Sequence, residues 1–141
     1  MAANFAFTLD GGSRHGRLLR SHNEAARSST GNGTSVDFGH TIDGSTYDDP
    51  MPSGGYAGHL HVFAKTGTVT TCTIKIQHSS AGSVWADLVT FSNVTAVGAQ
   101  RVTATASVKR FLREQVSAFA GSSTPTVSYA VSFGKPVTLA G

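Results

Sequence analysis

Two histidines two positions apart are the strongest candidates for chemistry in this sequence. On a strand, His59 and His61 would point to the same face, and two imidazoles on one face can bind a metal ion. Such a site needs a third ligand, for which His40, His78 and Asp43 are the candidates. Because nothing in the sequence places these three beside the pair, we interpret His59 and His61 as surface or structural side chains. We therefore predict no metal site and no cofactor.

Motifs that support enzymatic chemistry are missing. Asp43, Asp48 and Asp49 lie in a loop rich in Gly, Ser and Pro, where aspartate ordinarily bonds to its own backbone. The sequence contains no EF-hand pattern, P-loop, dinucleotide-binding glycine pattern or G-x-S-x-G elbow. Cys72, the only cysteine, alternates with apolar residues and is predicted to be a small buried thiol. We predict no catalytic residues and a protein that is not an enzyme.

Arginine is concentrated near the N-terminus. Between Ser13 and Arg27 there is one acidic residue, Glu24, and turn-forming glycines are frequent in the first third of the chain. We predict an extended arm over residues 1–27 that binds a partner surface. Its candidate partner-binding residues are Arg14, Arg17, Arg20 and Arg27.

Charge and the distribution of apolar residues argue against nucleic acid and membranes as partners. A net charge of +3 with only 13% charged residues is mild compared with the dense basic patch of a nucleic-acid-binding domain. No apolar run approaches the roughly 20 residues of a membrane-spanning helix, and the first ten residues do not have the pattern of a secretory signal. We predict a protein that is not secreted and that binds neither membranes nor nucleic acid.

Apolar residues recur at every second position from Tyr56 onward. The alternation is clear at Cys72, Ile74 and Ile76, and again near the C-terminus, and it is typical of half-buried strands. Short strands with turn signals between them predict an all-β domain over residues 28–141, an antiparallel β-sandwich of the jelly-roll or immunoglobulin-like kind. The predicted core residues are Trp85, Leu88, Phe91, Leu112, Tyr129 and Phe133.

Several segments, in order, resemble a β-sandwich domain of virion proteins of tailed bacteriophages, found in head-decoration and tail-tube-associated proteins. The shared pattern has a strand ending in Gln-His-Ser, a Trp followed by Asp-Leu, a Gly-Ala-Gln-Arg-Val segment and an Arg-aromatic-Leu-Arg strand. The resemblance covers roughly residues 14–134, although the turn 80–82 lacks an acidic residue and the loop 46–53 is long. The carriers are Gln77, His78, Ser79, Trp85, Asp87, Leu88, Gln100, Arg101, Val102, Arg110, Phe111, Leu112 and Arg113.

The resemblance implies a non-enzymatic virion structural protein, in first place a capsid decoration or stabilisation protein. A tail tube or tail-decorating protein is the alternative, and a carbohydrate-binding module with Tyr47, Tyr56 and Trp85 as its platform is a second alternative. In such a domain Trp85 would fill the core, and Arg110 or Arg113 would pair at a sheet edge. The implied partners are phage capsid or tail proteins, in a homo-oligomer or on a lattice. The implied location is the virion, assembled in the host cytoplasm.

Overall fold

The predicted all-β class is confirmed. The computed structural model describes residues 16–38, 41–42, 45–46 and 55–134. The regular secondary structure of these residues consists entirely of β-strands. The strands are β1 (Gly16–Arg20), β2 (Gly31–Asn32), β3 (Val36–Asp37), β4 (Thr41–Ile42), β5 (Ser45–Thr46), β6 (Ala57–Ser79), β7 (Ala86–Thr90), β8 (Gly98–Thr103) and β9 (Phe111–Gly134).

Two very long strands form the centre of the sheet. β6 and β9 run antiparallel along their whole length, with Ala57 opposite Gly134 and Ser79 opposite Phe111. β8 pairs with the first half of β6, and β1 with the end of β9. β7 pairs with the second half of β6, and β2 and β3 with the beginning of β9. These seven strands make one sheet, and β4 and β5 pair only with each other among the described residues.

The sheet curls so that the two halves of β6 face each other. In a straight strand Gly58 and Ile76 would lie about 60 Å apart. A Cβ atom placed on Gly58 would instead lie 2.7 Å from the Cδ1 atom of Ile76. The pairing of β6 with β9 is interrupted in the middle, where Gly67 and Ser123 have positive φ angles of 62° and 60°. Such bulges bend strands and increase their twist, so they account for the curl.

The core lies inside the curl. Phe38, Tyr56 and Phe133 form a triangle of aromatic rings with centroids 5.5–5.7 Å apart. Five of the predicted core residues, Leu88, Phe91, Leu112, Tyr129 and Phe133, belong to the buried cluster. Trp85 is only half-buried, and the Arg113 guanidinium lies 4.4 Å from the centre of its ring.

Part of the predicted N-terminal arm belongs to the sheet. From Gly16 onward, β1 pairs with β9, and Leu19 and Arg20 are 5% and 4% exposed. Further along, Arg27 and Val127 exchange two backbone hydrogen bonds of 2.9 Å each. Residues 1–15, including Arg14, lie outside the described residues.

Substitution of Phe133 by alanine is expected to lower the free energy of unfolding by about 3–5 kcal/mol, because it removes a fully buried ring and leaves a cavity. Phe63, on β6, is 37% exposed and provides the matched control. Phe63→Ala is expected to cost less than about 1 kcal/mol. Urea denaturation of the two variants measures both values, and equal losses would contradict the assignment of the inner and outer faces.

Candidate functional site

The outer face of the first half of the sheet carries an unusual group of side chains. We call this group, Leu18, His22, His59, His61 and Phe63, the histidine face. Leu18 is 55% exposed and Phe63 is 37% exposed. Four members, all except Phe63, line a shallow cavity of about 450 Å³.

Small neighbours create this cavity. On the strands next to β6, Ala99 and Ala130 lie opposite His61, and Ser132 lies opposite His59. Their short side chains leave the imidazole rings standing above the sheet. The histidine face is therefore an accessible surface that mixes apolar area with imidazole groups.

Within the histidine face, His22 and His61 touch. The Nε2 atom of His22 lies 3.2 Å from the Nδ1 atom of His61, and the ring centroid of Phe63 lies 5.0 Å from that of His22. His22 belongs to the turn after β1, in which the Ser21 backbone N–H donates a 3.0 Å hydrogen bond to Glu24.

The histidines that the sequence analysis considered as metal ligands lie in different parts of the structure. Burial, and then the positive charge of Arg101, lower the pKa of His59. His78 is buried elsewhere and accepts a 3.2 Å hydrogen bond from the Lys109 backbone N–H. His40 and Asp43 lie outside the described residues. Sequence reasoning missed His22, because no local pattern connects it with a strand 39 positions away.

A buried ionic network is the second notable site. Glu114 is completely buried, and its two oxygens accept 2.6 Å hydrogen bonds from the Tyr129 hydroxyl and the Arg27 guanidinium. A nitrogen of Arg20 lies 3.7 Å from the same carboxylate, and the Arg20 guanidinium lies 4.6 Å from the centre of the Tyr129 ring. We call these four residues the Glu114 network.

Burial and the negative charge of Glu114 raise the pKa of Tyr129, so its hydroxyl stays protonated and can donate. Burial disfavours the charge on Arg27, but its hydrogen bond to Glu114 and nearby charges outweigh this and raise the pKa of Arg27. Gly33 packs so closely on Glu114 that a Cβ atom would collide with the carboxylate. The geometry indicates a structural ionic core with no exposed reactive group.

Three of the four candidate partner-binding arginines have contacts inside this chain. Arg20 and Arg27 belong to the Glu114 network, and Arg17 donates a 3.1 Å hydrogen bond to the Asp37 carbonyl. Arg14 lies outside the described residues. That these arginines bind a partner stays a prediction, and the structure supplies a second role for three of them. Sequence reasoning did not single out Glu114, although its position between Leu112 and Val116 on the same strand face is a signal of burial.

Residues that carry the phage resemblance form a third group, on the other half of the sheet. Asp87 accepts hydrogen bonds from Lys75 at 2.7 Å and Gln77 at 3.1 Å, and Gln77 in turn accepts one from Arg113 at 2.9 Å. The hydrogen bonds from Lys75 and Gln77 lower the pKa of Asp87. With Trp85 under the Arg113 guanidinium, these residues form a continuous chain, which we call the Trp85 cluster.

Other carriers of the resemblance bond to backbone or to a neighbouring strand. The amide of Gln100 both accepts from and donates to the backbone of Ser92, at 2.8 and 3.1 Å. The hydroxyl of Ser79 accepts from the Gly82 N–H at 2.9 Å. Arg110 donates two hydrogen bonds to the Asp37 carboxylate, at 3.1 and 2.8 Å. These side chains hold strands and turns in place.

Cys72 is expected to resist modification in the folded protein. It is fully buried, and burial raises the pKa of its thiol to about 11, whereas only the thiolate is a good nucleophile. Alkylation with iodoacetamide near pH 8 should be slow in the folded protein and fast in urea. Mass spectrometry over time measures both rates, and equal rates would contradict the burial of Cys72.

No protein-family model matches this sequence, and no curated protein matches it. Among the described residues, no three His, Cys, Asp or Glu side chains are grouped so that they could hold a metal ion. The same part of the chain contains no helix that could cross a membrane.

Proposed function

We propose that this chain is a non-enzymatic virion structural protein of a tailed bacteriophage that decorates and stabilises the capsid. The observation that carries the proposal is the Trp85 cluster. Three of its polar side chains, Gln77, Asp87 and Arg113, belong to the pattern that resembles phage virion domains, and they bond to one another across β6, β7 and β9. In a structural module, we expect the residues of such a pattern to hold the strands together through hydrogen bonds.

We further propose that the curled sheet is a β-sandwich of the jelly-roll or immunoglobulin-like kind. The close approach of Gly58 to Ile76 supports this, because it brings the two halves of β6 together across a shared core. Two faces packed over one core are the defining feature of a sandwich.

The histidine face is the surface proposed to meet the capsid. Aromatic residues are enriched at protein interfaces, and this face presents Phe63 beside the imidazole of His22, together with the exposed Leu18. The small residues between the rings provide a depression that a side chain of a capsid protein can enter. Attachment would place the chain on the virion lattice, as a homo-oligomer or as separate copies.

The carbohydrate-binding alternative has less support. A sugar-binding platform needs an exposed aromatic ring, but Tyr56 is 1% exposed and the ring of Trp85 is covered by Arg113. Tyr47, the third candidate, lies outside the described residues.

The experiment is mass spectrometry and immunogold electron microscopy of purified particles from cells that carry the gene. Gold on the heads, with the chain present in stoichiometric amount, is the expected result. Gold on the tails would replace the proposal with the tail alternative. Absence of the chain from the particles would overturn both.

The interface is tested on the same particles. Phe63→Ala is expected to reduce the amount of bound chain, while Val84→Ala, which shortens an exposed side chain outside the histidine face (82% exposed), should leave it unchanged. Equal binding of the two variants would show that the histidine face is not the attachment surface.

A further inference from the structure

We propose that His22 and His61 bind a divalent transition metal ion, of which Zn²⁺ is the representative. The two side chains supply two nitrogen ligands, and water supplies the others. This site is independent of the proposed virion role, since it rests only on the geometry of these two histidines.

The distance between the two nitrogens fits a shared ion. Imidazole nitrogens bind Zn²⁺ at about 2.0–2.1 Å in tetrahedral geometry, which places two such ligands about 3.3 Å apart. The Nε2 atom of His22 and the Nδ1 atom of His61 are 3.2 Å apart. No backbone movement is needed to bring the two ligands to the required separation.

Metal binding requires one proton to move. In the hydrogen-bonded pair, one of the two facing nitrogens carries a hydrogen, whereas both must offer a lone pair to an ion. The proton therefore moves to the other nitrogen of the same ring, Nδ1 of His22 or Nε2 of His61. Since both side chains are exposed, that nitrogen can bond to water, and the rings can turn toward the ion.

A strand and a hydrogen-bonded turn hold the two ligands. His61 lies on β6 between β8 and β9, where its neighbours Ala99 and Ala130 leave room for an ion and its water ligands. His22 lies in the turn that the Ser21–Glu24 hydrogen bond closes. Because the ligands are already near each other, binding does not have to fold a loop around the ion.

His59 is not assigned as a ligand. It shares the cavity with the other two histidines, but Arg101 lies opposite it on β8, and the positive charge of Arg101 disfavours a cation on that side. Water is therefore expected at the remaining positions, which leaves the ion open to a further ligand.

The test is a titration of the full, tag-free chain with Zn²⁺, followed by NMR of the histidine ring signals. The expected result is a saturable shift of the His22 and His61 signals while the buried His78 signal stays in place. Mg²⁺, which prefers oxygen ligands, should cause no shift. Absence of a saturable shift with Zn²⁺ would overturn the proposal.

Three variants assign the ligands. His22→Gln and His61→Gln should each weaken Zn²⁺ binding by at least about tenfold, which is about 1.4 kcal/mol, whereas His59→Gln should change it less than about twofold. Unchanged binding in either of the first two variants, or a tenfold loss in His59→Gln, would overturn the two-histidine assignment. Circular dichroism checks that each variant is folded, as expected for exposed positions.

Discussion

A chain that begins at Ser28 is expected to remain unfolded. The truncation removes β1, whose Leu19 is buried in the core, and deletes Arg20 and Arg27, which face the buried carboxylate of Glu114. Removing the partners of a buried charge costs about 3–5 kcal/mol, and losing a buried leucine costs about 2–5 kcal/mol more. The sum, about 5–10 kcal/mol, is comparable with the 5–15 kcal/mol that stabilises a typical domain, and the pairing of β1 with β9 is lost as well.

Circular dichroism and thermal unfolding of the purified chains measure this effect. A chain that begins at Gly16 is the control, because it keeps β1 and the whole Glu114 network. A cooperative unfolding transition in the chain that begins at Ser28 would show that residues 16–27 are dispensable for folding. They would then behave as the separable arm predicted from the sequence.

Replacing Glu114 with alanine is expected to lower the free energy of unfolding by about 3–5 kcal/mol. The substitution removes the carboxylate that pairs with Arg27 at 2.6 Å and leaves the Arg20 guanidinium, which is 4% exposed, with Glu24 alone as its ion-pair partner. It also removes the acceptor of the Tyr129 hydroxyl. Urea denaturation followed by fluorescence gives the value, provided that the slope of the transition is unchanged.

Lys75→Ala provides the control for Glu114→Ala. It breaks an ion pair of similar length, 2.7 Å between Lys75 and Asp87, but the Asp87 side chain is 47% exposed. Exposed pairs contribute about 0–1 kcal/mol. A loss for Glu114→Ala as small as that for Lys75→Ala would mean that water reaches the carboxylate, and the Glu114 network would then not be a buried one.

The all-β class could be predicted from the sequence because the signal for a strand, the alternation of apolar and polar residues, is local. Alternation at Cys72, Ile74 and Ile76 identifies a strand with one buried face without knowledge of its partner. The length of β6 and β9 was not predictable in the same way, since Gly67 and Gly121 resemble turn signals but lie inside paired strands. A bend within a continuous strand and a turn between two strands have the same local composition.

The role of the N-terminal arginines was hidden because their partner is remote. Glu114, the carboxylate that pairs with Arg27, lies 87 positions further along the chain. Because the local sequence does not contain this partner, residues 14–27 have the composition of a basic arm when taken alone. The contact between His22 and His61 was hidden for the same reason, because the two residues are 39 positions apart in the sequence. His59 and His61 were recognisable by their spacing, but the contact of His61 with His22 exists only because β1 returns to the sheet beside β9.

The antiparallel pairing of β6 and β9 has a consequence for the way the chain folds. Its outer end joins Ala57 to Gly134, so the central strand pair closes only when a long stretch of chain has been brought together. Domains dominated by such distant pairings fold slowly, in milliseconds to seconds. Because each of these strands passes through both halves of the curl, neither half can complete its sheet without the other. The domain is therefore expected to fold and unfold as one cooperative unit, with no stable half-folded form.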